Sequence, residues 1–245
     1  MLLKSFRTSN PAFNDYFWNQ KFSESKSMSI SGIVVKSVGC LILIAIITAI
    51  IWKMDMLGKD LAWYRYGGLI AAIILSVIIS YNKHLAFILV PLYAIAKGCF
   101  LGAFTAWIKS NYPEIPYQAI GITIVTFFVV LILYQLRLII VTTTLRSLII
   151  TAATSIILAY IVSLILEFFG MRTFLWGTST LAIVFNCIAA IVASLTFLLD
   201  FDYIERQKNK APKQMEWFAT WGLLVSILWL YIELVRLMKK VAFRF

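Results

Sequence analysis

The chain has 245 residues, 62% hydrophobic and only 13% charged, with a net charge of +11 and a mean hydropathy of +0.90. Soluble domains average about 45–50% apolar and about 25% charged residues, so this composition excludes a water-soluble globular domain. A helix crossing a bilayer needs roughly 20 mostly apolar residues, so seven spans would take about 140 of them and leave only loops and tails.

The predicted class is all-α: a polytopic membrane protein with a polar N-terminal arm, residues 1–29, and a seven-helix transmembrane domain, residues 30–245. The arm carries Lys4, Arg7, Lys21 and Lys26 and no apolar core. It does not read as a cleaved signal peptide, and the first span is expected to direct insertion itself. That span runs from Ile30 to Trp52 and is followed by the charged loop KMDMLGKD. Trp63, Tyr64 and Tyr66 mark an interface before the second span, Trp63–Tyr81. The turn NKHL leads to the third, Leu85–Ile108, interrupted by Pro91 and Lys97.

Asn111, Pro113 and Pro116 make a loop, and the fourth span is Ile115–Leu136. A Thr-rich turn, VTTTLR, bounded by Arg137 and Arg146, precedes the fifth, Ser147–Phe169. The sixth is Thr178–Ile204, ERQKNKAPK is a basic linker, and the seventh is Gln214–Met238. The second span is the shortest, so six spans and a re-entrant segment is the structural alternative.

With the N-terminus inside, the inner segments hold eleven Lys and Arg near span ends and the outer loops hold five. That bias predicts a cytoplasmic N-terminus. Lys239, Lys240 and Arg244 in the tail, placed outside by seven spans, count against it. The basic residues lie where lipid headgroups lie, so the bilayer is the expected partner of the +11 charge and nucleic acid is not. Cys40, Cys99 and Cys187 have no paired or metal-type spacing and read as small buried hydrophobes.

Ala94, Gly98, Gly102 and Ala106 recur every four residues in the third span, a spacing that lets helices approach closely. Packing within the chain is favoured over dimerisation, so a monomer is the expected state. Ionisable residues at membrane depth carry more information, because each costs several kcal/mol on insertion scales. They are Lys36, Lys97, Glu167, Asp200, Asp202, Glu233 and Arg236. Lys36 and Glu167 stand near span ends, where an interfacial position is the bland reading. Asp200 and Asp202 lie about 200° apart around a helix and cannot face one site. Asp202 and Glu205 share a face, as do Glu233 and Arg236, which are placed to pair.

A straight antiparallel pairing of the last two spans would not put Asp200 and Glu233 level. If they do meet, two carboxylates in a low dielectric share a proton and form a pH-dependent latch. His84 lies in a turn and is expected to be exposed. No nucleophile–base set and no phosphate-loop or metalloprotease motif is present, so no enzyme and no cofactor is expected.

The stretches NPAF, MSISGIVVKS, PLYAIAKGCFLGAF, LLDFDYIE and APKQMEWFATWGLLVSILWLYIELVRLM resemble the Bax inhibitor-1/YccA family, the TMBIM superfamily, in its bacterial branch with an N-terminal arm. The resemblance implies six helices packed around a central seventh. It also implies a pH-sensitive cation leak in a bacterial inner membrane, with calcium or protons as the transported ion. By motif it selects Asp200 and Glu233 as the pH-sensing and calcium-contacting pair, with Asp202 facing the ion path. It matches Lys83 loosely to a basic charge partner of those carboxylates. Lys97 stands where close relatives carry an acid; a cation there would neutralise the pair and counts against calcium. The rival readings are an interaction partner of a membrane-bound AAA protease and a proton-coupled transporter.

Overall fold

A computed structural model describes residues 27–171, 173–208 and 210–244. The arm before residue 27, with the NPAF stretch, and Arg172 of the orientation count lie outside the described residues. Seven helices follow in order: α1 Ile30–Met56, α2 Ala62–Tyr81, α3 Ala86–Asn111, α4 Glu114–Gln135, α5 Thr143–Phe168, α6 Thr180–Gln207 and α7 Met215–Ala242. All seven are long and apolar enough to cross a membrane, and the described residues form no strand. The second span is a continuous helix of 20 residues, so the re-entrant alternative falls.

Caps fix the ends. Ser29 and Thr142 accept hydrogen bonds from the backbone N–H groups of Gly32 and Leu145, starting α1 and α5. Gly58 and Gly170, at positive φ, follow the ends of the same helices. The cap at Thr142 starts α5 a turn earlier than the apolar pattern suggested, which moves Arg146 from a turn into the helix.

The chain divides into two compact units. One holds the residues up to Pro113 with Tyr203–Val225; the other holds Glu114–Asp202 with Ser226–Phe245. In the first, α3 is the packing hub. Thr48 on α1 donates to the Gly98 carbonyl at 3.2 Å, and the Trp52 indole donates to Thr105 at 3.0 Å. A Cβ built on Gly102 would stand 2.7 Å from the Ile51 Cβ, and one on Gly68 would stand 2.8 Å from backbone atoms of Ala96 and Phe100. The small-residue stripe therefore serves α1–α3 packing within the chain.

In the second unit, Ala153 and Ile156 of α5 pack on Ala189 and Val192 of α6, flanked by Tyr160, Phe185 and Trp229. Phe127 of α4 meets Phe197 and Phe201 of α6 edge-on, with centroids 5.4 and 5.3 Å away. Burial is highest in the last two helices: 50% of the most apolar window of α6 and 78% of that of α7 are buried, against 17–44% in the other five. A helix buried to that degree has almost no face left for lipid, so its polar residues must find partners inside the protein. Of the cysteines, Cys40 is buried, but Cys187 is exposed on α6, so burial does not extend to it.

Gly68→Ala is expected to lower the thermal midpoint in detergent by an amount corresponding to ~1–3 kcal/mol, because the intruding methyl meets backbone that cannot swing aside. Gly121→Ala, whose Cβ would meet nothing within 4 Å, should leave the midpoint unchanged or raise it. Equal effects of the two would show that the α2–α3 approach is not tight.

Candidate functional site: a polar stripe between the sixth and seventh helices

Ser226, Glu233 and Lys240 recur every seven residues along α7, and all three are buried. Seven residues are nearly two helical turns, so they form one stripe with about 10 Å of rise between neighbours. The stripe faces α6. Ser226 donates to the Asp200 carboxylate at 2.5 Å, a charge-assisted geometry. The Asn186 amide donates to Glu233 at 2.8 Å, and its oxygen accepts from the Lys240 ammonium. Lys240 also donates to the Leu175 carbonyl at 2.7 Å.

This pattern fixes the register. Fourteen residues up α7, from Ser226 to Lys240, correspond to fourteen down α6, from Asp200 to Asn186. Between them on α6, Ala189, Ala190 and Ala193 are buried, and Asn186 reaches both Glu233 and Lys240. Asp200 thus meets α7 at Ser226, two turns before Glu233 on that helix.

Glu233 is the more densely held of the two. Besides Asn186, it accepts from the Tyr160 hydroxyl at 2.7 Å, the Trp229 indole at 3.2 Å and Arg236 at 3.5 Å. The Arg236 guanidinium covers the Tyr160 ring at 4.6 Å, which completes a cage of α5, α6 and α7 side chains. Asp200 itself is fully buried.

Asp202 turns the other way, to α5, where it pairs with Arg146. Both partners are nearly inaccessible, so neither charge relies on water. Glu205, on the exposed edge, pairs with Lys208. Arg146 went unrecognised as a partner of Asp202 because the Thr-rich stretch hid its place in α5.

The first unit carries a further buried carboxylate that the sequence did not single out. Glu216, at the start of α7, accepts from the Ser29 N–H at 3.0 Å and hydroxyl at 2.9 Å and pairs with Lys36. A Cβ on Gly32 would stand 2.3 Å from its carboxylate, so Gly32 leaves the room that Glu216 occupies. Lys36 is therefore the ion-pair partner of Glu216. Lys97 lies over the rings of Tyr93 and Phe100 on its own helix, at 5.6 and 5.7 Å. Lys83 is buried in the turn before α3, and His84 beside it is exposed. No three His, Cys, Asp or Glu residues among the described ones converge as a metal site.

Arg146→Met alone is expected to destabilise the protein by ~3–5 kcal/mol, by stranding the Asp202 charge. The double variant Arg146→Met with Asp202→Leu should recover most of that loss. Thermal unfolding of the three proteins in detergent checks this, and a double variant no better than the single would remove the pair from the account.

A family model described as "Bax inhibitor 1 like" matches residues 10–242. No curated protein and no solved structure matches the chain significantly. With the match running through all seven helices, the chain belongs to the Bax inhibitor 1 like family of integral membrane proteins.

Proposed function

We propose that this protein is a pH-sensitive cation leak channel whose ion path follows the α6–α7 stripe, with calcium as the expected cargo. Channel or transporter chemistry suits the family. The observation that carries the reading is the burial of two acids against one stripe of the most buried helix: Glu233 on α7 itself, and Asp200 of α6 bonded to Ser226 of α7. An ionised Asp at the centre of a bilayer costs roughly 2.5–3.5 kcal/mol on insertion scales. A fold that keeps two acids there and surrounds them with hydroxyl, amide and guanidinium groups is organised around their charge.

We read the arrangement described, with Ser226 on Asp200 and the Tyr160, Asn186, Trp229 and Arg236 cage on Glu233, as the closed state. Protonating Glu233 would release the charge that Tyr160, Asn186, Trp229 and Arg236 hold together. Protonating Asp200 would turn its carboxyl from an acceptor of the Ser226 hydrogen into a donor. Either event alters α6–α7 contact where the path must open. The charge bias near span ends supports an N-terminus on the cytoplasmic side of a bacterial inner membrane.

Because the acids occupy separate clusters, they are expected to act independently. Asp200→Asn and Glu233→Gln should each change the pH profile of calcium flux into liposomes, and together their effects on log flux should add. A pH profile untouched by the double variant would sink the channel reading. Strong non-additivity would instead show that the acids meet in the open state and share a proton.

Tyr160→Phe removes one donor from the Glu233 cage and leaves the Arg236 stacking ring in place. It should cost ~1.5–3 kcal/mol of stability, the worth of a hydrogen bond to a charged group. Resting flux at neutral pH should rise with it. Flux that stays at the wild-type level would separate the cage from gating.

A further inference from the structure

At the end of the first unit where α1 and α7 begin, a cavity of about 310 Å³ opens among cationic side chains. Lys36 comes from the second turn of α1, Lys83 from the turn between α2 and α3, and Lys213 from the α6–α7 linker. His84 stands on the same rim, and Phe87 and Trp217 wall the cavity with aromatic surface. None of the described lining residues is an acid. Glu216 sits behind Lys36 and is engaged by it and by Ser29.

Three segments far apart in sequence thus bring three ammonium groups to one concavity. Glu216 already offsets the Lys36 charge, so Lys83 and Lys213 leave the concavity with a positive balance, which favours an anion held there. The lining gives the anion's chemistry. Three point charges suit the dispersed oxygens of a phosphate group. Trp217, already stacked under Lys36 at 5.3 Å, and Phe87 suit an apolar ester substituent. The volume is at the lower limit of small-ligand sites, enough for a phosphate and part of its ester. The N-terminal arm does not match as occupant, since its four basic residues outnumber Asp15 and Glu24.

We infer that this cavity is a binding site for a phosphate-bearing anion, with Lys83, Lys213 and Lys36 taking the phosphate oxygens and Trp217 and Phe87 covering the ester. The anion is either the headgroup of an acidic phospholipid or a soluble phosphate. Its place at the ends of α1, α2, α6 and α7 suits a site at the membrane boundary.

The full-length protein is reconstituted in nanodiscs of phosphatidylcholine alone or with phosphatidylglycerol, and separately titrated with inorganic pyrophosphate in detergent. Thermal unfolding is followed throughout. At least one ligand should raise the midpoint by about 3 °C. Lys213→Gln, on the exposed linker, and Lys83→Met should each lose half of that rise or more. Lys59→Gln, in the exposed α1–α2 loop, should keep it. A rise with phosphatidylglycerol only identifies a lipid headgroup; a rise with pyrophosphate identifies a soluble anion; both support the site. No rise with either ligand overturns it. So does a rise that survives in both Lys213→Gln and Lys83→Met, or one that Lys59→Gln loses equally.

Discussion

A charge inside a bilayer has no water to fall back on, and that constraint accounts for most of the specific contacts in this protein. Each enclosed acid is met by a partner from another helix. Glu216 of α7 takes Lys36 and Ser29 of α1, Asp202 of α6 takes Arg146 of α5, Asp200 of α6 takes Ser226 of α7, and Glu233 of α7 takes Tyr160 and Asn186. Apolar packing between helices in a membrane is weakly directional, because lipid tails solvate Leu and Ile as well as another helix does. The polar contacts supply the direction. They set which face of α7 meets α6, and at what height.

The spacing on α7 shows how register is encoded. Ser226, Glu233 and Lys240 are seven apart, and Asp200 and Asn186 on α6 are fourteen apart. Sliding one helix by a turn would set Ser226 against apolar neighbours and strand both Lys240 and Asp200. Each misplaced polar group costs on the order of 1–3 kcal/mol, more when charged, so alternative registers are heavily disfavoured. Small residues do the corresponding work on α3, where the lack of a side chain at Gly98 and Gly102 admits Ile47 and Ile51 of α1.

The spans were legible because apolar length is a property of the chain itself, and the seven helices follow the apolar runs to within a few residues. The deviations have local causes. Thr142 caps α5 before its apolar run begins, and α1 continues four residues beyond Trp52 through the charged stretch to Met56. The depth cost singled out Asp200, Asp202 and Glu233, and the i, i+3 rule supplied Arg236. Partners from other helices were not legible. Nothing in MEWF marks Glu216 as buried, since the first turn of a helix is a favoured place for an exposed acid. Its burial depends on Gly32, nearly two hundred residues away, having no side chain. The same holds for Asn186, an unremarkable polar residue until α7 brings Glu233 and Lys240 to its two ends.

The register also restricts what a pH sensor at Asp200 can be. A second carboxylate level with it would have to stand at position 226, and this chain has a serine there. A facing acid would create a dyad, in which two like charges force one group to hold a proton and the pair titrates as a coupled unit. A serine hydroxyl behaves differently. It donates to the ionised carboxylate and accepts from the protonated one, so the contact survives titration with its polarity reversed. Such a contact changes in strength with pH but is not broken by repulsion. Glu233, two turns along α7 from Ser226, is held differently: beside the reversible Tyr160 hydroxyl it meets an amide N–H, an indole and a guanidinium, which only donate. The stripe thus joins one acid bonded by a reversible hydroxyl with one held mostly by groups that only donate. Under the channel reading proposed above, that difference makes Glu233 the acid whose partners have fewer ways to follow a change of charge.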